Sequence, residues 1–172
     1  MTVAMLPAQS WPLRIDDDPA VSQEAVDLRR HLRHVEQSVS DSLALGMLRE
    51  EVVKSKLDRV WVDASVDDWD GYGATAVSPA AYGNARAFLE ALPTTTPVPD
   101  VVPEPDGEIA FEWDYGPWRI LSVSVGPTAL LSYAALYGRT SKAHGTEKFI
   151  DRLPETIAMC LDRLVAAGDG DA

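Results

Sequence analysis

Cysteine, long apolar runs and basic residues are all scarce in this chain, and each shortage excludes a class of protein. Cys160 is the only cysteine among 172 residues, so no internal disulfide can form. Its apolar neighbours predict a small core residue in a reducing compartment. No stretch approaches the roughly 20 apolar residues that a membrane span needs. The N-terminus lacks a basic region and contains Pro7, which argues against a signal peptide. These features predict a cytoplasmic protein without membrane contact.

Acidic residues dominate the charge, because 27 Asp and Glu stand against 15 Lys and Arg, for a net charge of −12. A surface of this sign repels phosphate backbones and disfavours direct binding of DNA or RNA. Solubility alone accounts for such a charge, yet the charge also suits a basic protein partner. An acidic mimic of nucleic acid is a third reading, which requires carboxylates in rows spaced like phosphates.

Length and composition predict one domain, since 172 residues with 46% apolar content fill one hydrophobic core. We expect a single domain over residues 18–167. Its N-terminal helical part covers 18–66, and a helix, a sheet and a C-terminal helix follow over 67–167. Residues 1–17 are expected to form a flexible tail, and 168–172 a short polar one.

Two cap-then-proline signals mark helix starts, at Asp18-Pro19 and Ser78-Pro79, where a capping side chain precedes a ring that fixes φ. The first helix has an apolar stripe spaced by fours and threes: Val21, Ala25, Leu28, Leu32, Val35 and Val39. A second stripe then comprises Leu45, Leu48, Val52, Leu57, Val60 and Ala64. The two stripes fit either an antiparallel helical hairpin or one long helix.

The Ser78 start predicts a further helix that ends before Pro93, and a last helix is expected from about Pro154 to Gly168. Between them lie three strand candidates: 108–113, 118–125 and 129–137. Their connections are too short for parallel crossovers, which predicts an antiparallel meander. The proline-rich segment 97–102 is at most an edge strand. The fold class is therefore α+β, a three- to four-stranded meander packed with about four helices in the order α-α-α-β-β-β-α.

The loop Trp69-Asp70-Gly71-Tyr72-Gly73 combines aromatic rings, a carboxylate and flexible residues. Its rings either bind a planar ligand or a partner, or anchor the loop while the glycines supply unusual backbone angles. The structural reading is favoured, because large aromatic residues are usually part of the core.

Four carboxylates follow, at Glu104, Asp106, Glu108 and Glu112. Glu108 and Glu112 are roughly 13 Å apart along one strand, too far for a catalytic carboxylate pair. Neither these residues nor the pair His31 and His34 matches a metal motif, so no metal and no cofactor is expected. A solvated acidic rim is the simpler reading of the carboxylates.

A polar loop is expected over 138–145, and His144-Gly145-Thr146-Glu147 closes the loop that follows the last strand. His144 and Glu147 place a general base near a carboxylate, but no nucleophile accompanies them. The favoured alternative is that both residues cap the last helical segment.

Three stretches together resemble a family of small bacterial proteins without an established activity. They are Trp69 to Ala74, Pro105 to Trp113, and His144 to Glu147 followed by Phe149. The resemblance spans roughly residues 61–165 and implies a bacterial cytosolic protein. It carries no catalytic residue to this chain.

The sequence thus favours a non-enzymatic protein-binding or accessory protein of the bacterial cytosol, in a regulatory, defence or toxin-neutralising pair. The alternative is a small enzyme or ligand-binding domain, with a pocket between the Trp69–Gly73 loop, the polar sheet face and His144. That pocket requires Asp70, Glu112 and His144 to lie within hydrogen-bond or single-water reach. The candidate surface residues are Trp69, Asp70, Tyr72, Glu104, Asp106, Glu108, Glu112, His144 and Glu147.

Overall fold

A computed structural model describes residues 23–166 of the chain and shows an α+β fold, as predicted. The described residues form three helices and five strands in the order α-α-β-β-β-β-β-α. These are α1 Gln23–Ala64, α2 Pro79–Ala91, β1 Asp100–Pro103, β2 Ile109–Asp114, β3 Arg119–Val125, β4 Leu130–Tyr137, β5 Lys142–Lys148 and α3 Glu155–Ala166. The predicted tails, the Asp18-Pro19 start and the Gly168 stop lie outside the described residues.

The five strands form one open antiparallel sheet in the order β1-β2-β3-β4-β5. Strands β2, β3 and β4 confirm the three predicted strands to within one residue at each end. The inner face of the sheet carries the alternate apolar residues of β2 and β3, such as Phe111 paired with Val123. The outer face carries their neighbours, such as Glu112 paired with Ser122. The predicted meander is therefore correct, but it has more strands than expected.

The two additional strands lie at the edges of the sheet. Strand β1 overlaps the segment expected to be at most an edge strand. Strand β5 was expected to be part of a loop over 138–145, and that prediction is wrong from Lys142 onward. The sequence of β5 has little intrinsic strand preference, because glycine and charged residues dominate it. Pairing with β4 determines the conformation of β5. A Cβ on Gly145 would lie 2.9 Å from the Tyr133 hydroxyl of β4, so glycine allows the Tyr133 side chain to pack closely against β5.

Helix α1 is continuous over 42 residues, so the hairpin is wrong and the single long helix is correct. The chain divides into two compact units, residues 1–43 and 44–172. The described residues of the first unit, 23–43, are helical. In the second unit, α1 buries Val53, Leu57, Val60 and Ala64, whereas Leu48 and Val52 of the predicted stripe are exposed. Val53 replaces Val52 because a 4-3-4 spacing keeps the four buried residues on one helix face.

The core of the second unit lies between the inner sheet face and helices α2 and α3. Ser78 caps α2 as predicted, because its hydroxyl accepts the Ala81 amide at 3.1 Å. Phe88 of α2 has its ring 5.0 Å from Phe111 and 5.9 Å from Phe149. Helix α3 contributes Ile157, Cys160, Leu161 and Leu164. Cys160 is buried, as its spacing predicts.

No helix among residues 23–166 combines the length and apolar content that crossing a bilayer demands.

Candidate functional site

The loop between α1 and α2 is held by its own carboxylates. Asp68, in a left-handed conformation with φ of 62°, accepts the Gly73 amide at 2.7 Å. Asp70 accepts the amides of Tyr72 and Ala74 at 2.8 and 3.2 Å. These bonds fix the loop without any outside ligand. This geometry favours the structural interpretation of the loop, in which Asp70 holds its own backbone in place.

The two aromatic residues of this loop have different surroundings. Trp69 is half-buried, packs against the core, and donates its indole N–H to the Thr75 carbonyl at 3.2 Å. Tyr72 is 94% exposed. Trp69 therefore anchors the loop, while Tyr72 is presented to solvent by a fixed backbone.

The acidic turn between β1 and β2, residues 104–108, is also internally bonded. The Gly107 amide donates to the Glu104 carbonyl at 3.0 Å, and the Glu108 amide donates to the Asp106 carboxylate at 3.1 Å. Gly107 has φ of 88°, the positive value that Asp106-Gly107 predicts. Asp106 is the exposed carboxylate of this turn, whereas Glu104 and Glu108 are half-buried.

The aromatic loop and the acidic turn are joined to each other. The Thr75 amide donates to the Pro105 carbonyl at 2.8 Å. A Cβ on Gly107 would lie 2.9 Å from the Ala76 carbonyl oxygen, so only glycine, which has no Cβ, fits here without a shift of the backbone. Two of the three motifs are thus joined through their backbones. We call four residues of the two joined loops the acidic end: Tyr72, Glu104, Asp106 and Glu108.

Glu108 has the most restricted carboxylate of the acidic end. It lies over Gly126, where a Cβ would come within 2.6 Å of its Oε1. Partial burial raises the pKa of Glu108 above its ordinary value, and the neighbouring charges of Asp106 and Glu104 add to the rise. The ionised form of Glu108 is thus destabilised in the fold, and a cationic partner would stabilise it.

Glu112 and His144 lie on the outer sheet face, but they are far apart. The register forms one row across the sheet: Asp100, Glu112, Ser122, Ala134 and His144. Three strand spacings separate Glu112 from His144, about 14 Å at about 4.8 Å each. The Asp70 carboxylate, moreover, accepts two amides of its own loop. The structure does not bring these three groups within hydrogen-bond reach.

Glu147 lies on the opposite face of β5 from His144. Register places it beside Leu131, in the row that continues through Val125 and Ile109 of the inner face. Both His144 and Glu147 are strand residues, so the expectation that they cap a helix is wrong. Their separation by three positions in a strand puts them on different faces, which excludes direct cooperation between them.

A groove runs between α1 and the free edge of β1, and both Trp69 and Glu112 line it. Lys56 of α1 bridges this groove with an ion pair of 2.6 Å to Asp100 and a hydrogen bond of 3.2 Å to the Pro99 carbonyl. Pro99 and Pro103 offer no amide to an added strand. The edge of β1 is therefore poorly suited to bind an extended peptide.

The opposite end of the sheet carries a cluster that the sequence patterns did not reveal. Three arginines lie over aromatic rings there, with guanidinium-to-centroid distances of 4.7 Å for Arg119 over Tyr115, 5.5 Å for Arg139 over Trp118, and 4.4 Å for Arg163 over Tyr137. We call this cluster the arginine end. Its members come from the ends of β3 and β4, from two turns and from α3, and the pairing of β3 with β4 brings Arg119 beside Tyr137.

Among residues 23–166, no group of three His, Cys, Asp or Glu side chains is arranged to hold a metal ion. No family model, curated protein or solved structure matches the chain. The resemblance to small bacterial proteins therefore stays a prediction.

Proposed function

We propose that this chain is a non-enzymatic protein-binding or accessory protein that engages a basic partner through its acidic end. One observation carries the proposal: Tyr72 is 94% exposed on a loop that its own carboxylates hold in place. Exposed aromatic rings supply much of the energy of protein interfaces. A ring presented by a fixed loop loses little conformational entropy on binding, so more of its contact energy appears as affinity.

The charge around Tyr72 sets the kind of partner. Glu104, Asp106 and Glu108 belong to the turn that bonds to the Tyr72 loop, and the chain as a whole carries a net charge of −12. Such a field accelerates the encounter with a basic surface and repels an acidic one. Proteins that act on nucleic acids carry basic surfaces, which fits a regulatory, defence or toxin-neutralising pair in a bacterial cytosol.

The alternative, a small enzyme or ligand-binding domain with a pocket between the Trp69–Gly73 loop, the polar sheet face and His144, has weaker support. Its three proposed polar groups do not converge, since Glu112 and His144 are about 14 Å apart along one row of the sheet. The acidic rim thus supports recognition better than it supports proton transfer.

Affinity capture from the native host tests the proposal. The tagged wild type is compared with Tyr72→Ala and with the charge reversal Asp106→Lys. Tyr115→Ala is the matched control, because this half-exposed tyrosine lies at the arginine end. We expect one stoichiometric basic protein to elute with the wild type and the control, and to be lost with the other two variants. A partner that is retained by Tyr72→Ala but lost by Tyr115→Ala would contradict the acidic-end proposal.

A further inference from the structure

The arginine end contains a buried donor without a partner. Of the side-chain nitrogen and oxygen atoms that are buried within residues 23–166, only Nε of Arg119 has no hydrogen-bond partner. A buried N–H without an acceptor destabilises a fold. Such groups are rare in folded proteins, and a site for a water or an ion is among their known causes. Arg119 is therefore the residue from which a search for a ligand site starts.

The charges of the arginine end are not balanced by carboxylates. None of the ion pairs within residues 23–166 includes Arg119, Arg139 or Arg163. The Asp114 carboxylate, at the same end of the sheet, accepts the Gly116 amide at 2.7 Å. Each of the three guanidiniums lies over an aromatic ring instead. Because a guanidinium presents five N–H donors in a planar fork that matches oxyanions, these groups suit a negatively charged ligand.

One cavity collects these groups. Arg119 lines a cavity of about 260 Å³ whose other large lining residues are aromatic: Tyr115, Trp118 and Tyr137. The Arg139 guanidinium lies 5.5 Å from the Trp118 ring centroid, and the Arg163 guanidinium lies 4.4 Å from that of Tyr137. Each of the three positive charges is therefore in the lining of this cavity or one ring away from it.

Two of the arginines are held in place without a ligand. Arg163 lies over the Tyr137 ring and also donates from Nη2 to the Ser141 hydroxyl at 2.6 Å. The backbone of Arg119 is fixed by the turn before β3, since its amide donates to the Gly116 carbonyl at 3.0 Å and its carbonyl accepts the Tyr115 amide at 2.9 Å. Groups that are already positioned lose little conformational entropy when a ligand binds.

The acidic end is too distant to cancel these charges. Strand β3 runs from Arg119 to Val125, six residue spacings or about 20 Å at about 3.3 Å each. Val125 pairs with Ile109, the residue that follows Glu108. At physiological ionic strength the Debye length is about 8 Å, so the carboxylates of the acidic end are largely screened from Arg119. The arginines therefore set the local potential, although the chain has a net charge of −12.

We propose that the arginine end binds the phosphoryl group of a small phosphorylated molecule. A phosphate monoester has nearly two charges and three terminal oxygens, so it can engage several guanidiniums. A carboxylate has one charge and two oxygens, which a single guanidinium fork satisfies. The rings of Tyr115 and Trp118 are 44% and 48% exposed, and they offer apolar surface to the group that carries the phosphate. This site shares no residue with the acidic end, so it holds or fails independently of the proposed function.

Titration of the isotope-labelled full chain, followed by NMR, tests the proposal at residue resolution. The probes are pyrophosphate, ADP without magnesium and malonate, each at the same ionic strength. We expect pyrophosphate and ADP to shift the amides of residues 115–119 and 137–141 in a saturable manner, together with the Nε–H signal of Arg119. Malonate, a dicarboxylate, should bind at least about tenfold more weakly. Tighter binding of ADP than of pyrophosphate would support a nucleotide as the source of the phosphate, and equal affinities would support recognition of the phosphate alone.

Single substitutions test the arginines themselves. Arg139→Gln and Arg163→Gln change exposed side chains, and each should weaken pyrophosphate binding by at least about tenfold because a charge-assisted hydrogen bond is lost. The matched control, Arg152→Gln, removes the same charge from a side chain that is 92% exposed and outside the cavity, so binding should stay within about twofold of the wild type. Circular dichroism verifies that all three variants are folded.

Three results would overturn the proposal. The first is a wild type that shows no saturable shift at residues 115–119 and 137–141. The second is malonate binding as tight as that of pyrophosphate, which would contradict the choice of phosphate. The third is an equal loss of binding in Arg152→Gln and in the two variants of the arginine end, which would show that net charge alone attracts the anion.

Discussion

The backbone amide of Thr75 donates a 2.8 Å hydrogen bond to the carbonyl of Pro105, and this bond joins two loops from distant parts of the chain. One loop fixes Tyr72, and the other carries Glu104, Asp106 and Glu108. Two motifs that are separate in the sequence are thereby joined in the fold. The proposed interface depends on this junction, which makes it the natural place to perturb.

Gly107→Ala should destabilise the protein by about 1 to 3 kcal/mol, because its φ of 88° is strained for alanine and a Cβ would lie 2.9 Å from the Ala76 carbonyl. Gly83→Ala is the control, since it lies within α2 with no atom within 4 Å of an added Cβ. That change should stabilise by about 0.5 to 1 kcal/mol. Urea denaturation measures both free energies of unfolding, and equal shifts would contradict the described junction.

Asp70→Ala should cost about 1 kcal/mol of stability, because its carboxylate accepts the amides of Tyr72 and Ala74. Asp151→Ala is a control that removes an exposed carboxylate 3.9 Å from Arg152, and it should change stability by less than about 0.5 kcal/mol. Thermal unfolding compares the two. A stable Asp70→Ala variant would mean that the loop does not rely on this carboxylate.

Glu108→Gln should alter the dependence of stability on pH. The pKa of Glu108 is raised in the fold, so the folded state holds the proton more tightly than the unfolded state does. Stability must therefore fall as pH rises from the unfolded pKa through the folded pKa, and it stays reduced above it. Relative to the wild type, Glu108→Gln should gain stability between pH 4 and pH 7. Denaturation at both values checks the sign, with Glu51→Gln on the exposed side of α1 as control.

Leu57→Ala should destabilise the protein by about 2 to 5 kcal/mol, because this α1 side chain is 1% exposed. Leu48→Ala removes the same atoms from an exposed position of the same helix, so its cost should be below about 0.5 kcal/mol. Similar losses in both variants, measured by urea denaturation, would show that the buried face of α1 is assigned incorrectly.

Helix-capping residues and the alternation of apolar and polar residues predicted the elements that depend on local sequence. Ser78 before Pro79 indicated the start of α2, and alternating residues indicated β2 and β3 with their inner and outer faces. Strand β5 escaped prediction because neither its composition nor its alternation favours a strand. Its conformation depends on pairing with β4, a contact that spacing within 142–148 does not encode.

The candidate site was predicted only in part. The sequence indicated Asp106-Gly107 as a turn and Tyr72 as a contact residue, but it did not reveal that Thr75 joins their loops. It also grouped His144 with Glu147, which the pleat of β5 places on opposite faces. The arginine end was missed entirely, because Arg119, Arg139 and Arg163 come together only through the sheet and α3.

The most direct test of the proposed function is the dissociation constant between the captured partner and the purified chain, measured by calorimetry at low and moderate salt. We predict at least about tenfold weaker binding for Tyr72→Ala, a clear loss for Asp106→Lys, unchanged binding for Tyr115→Ala, and weaker wild-type binding at moderate salt. Equal affinities for the wild type, Tyr72→Ala and Asp106→Lys, without any dependence on salt, would contradict recognition through the acidic end.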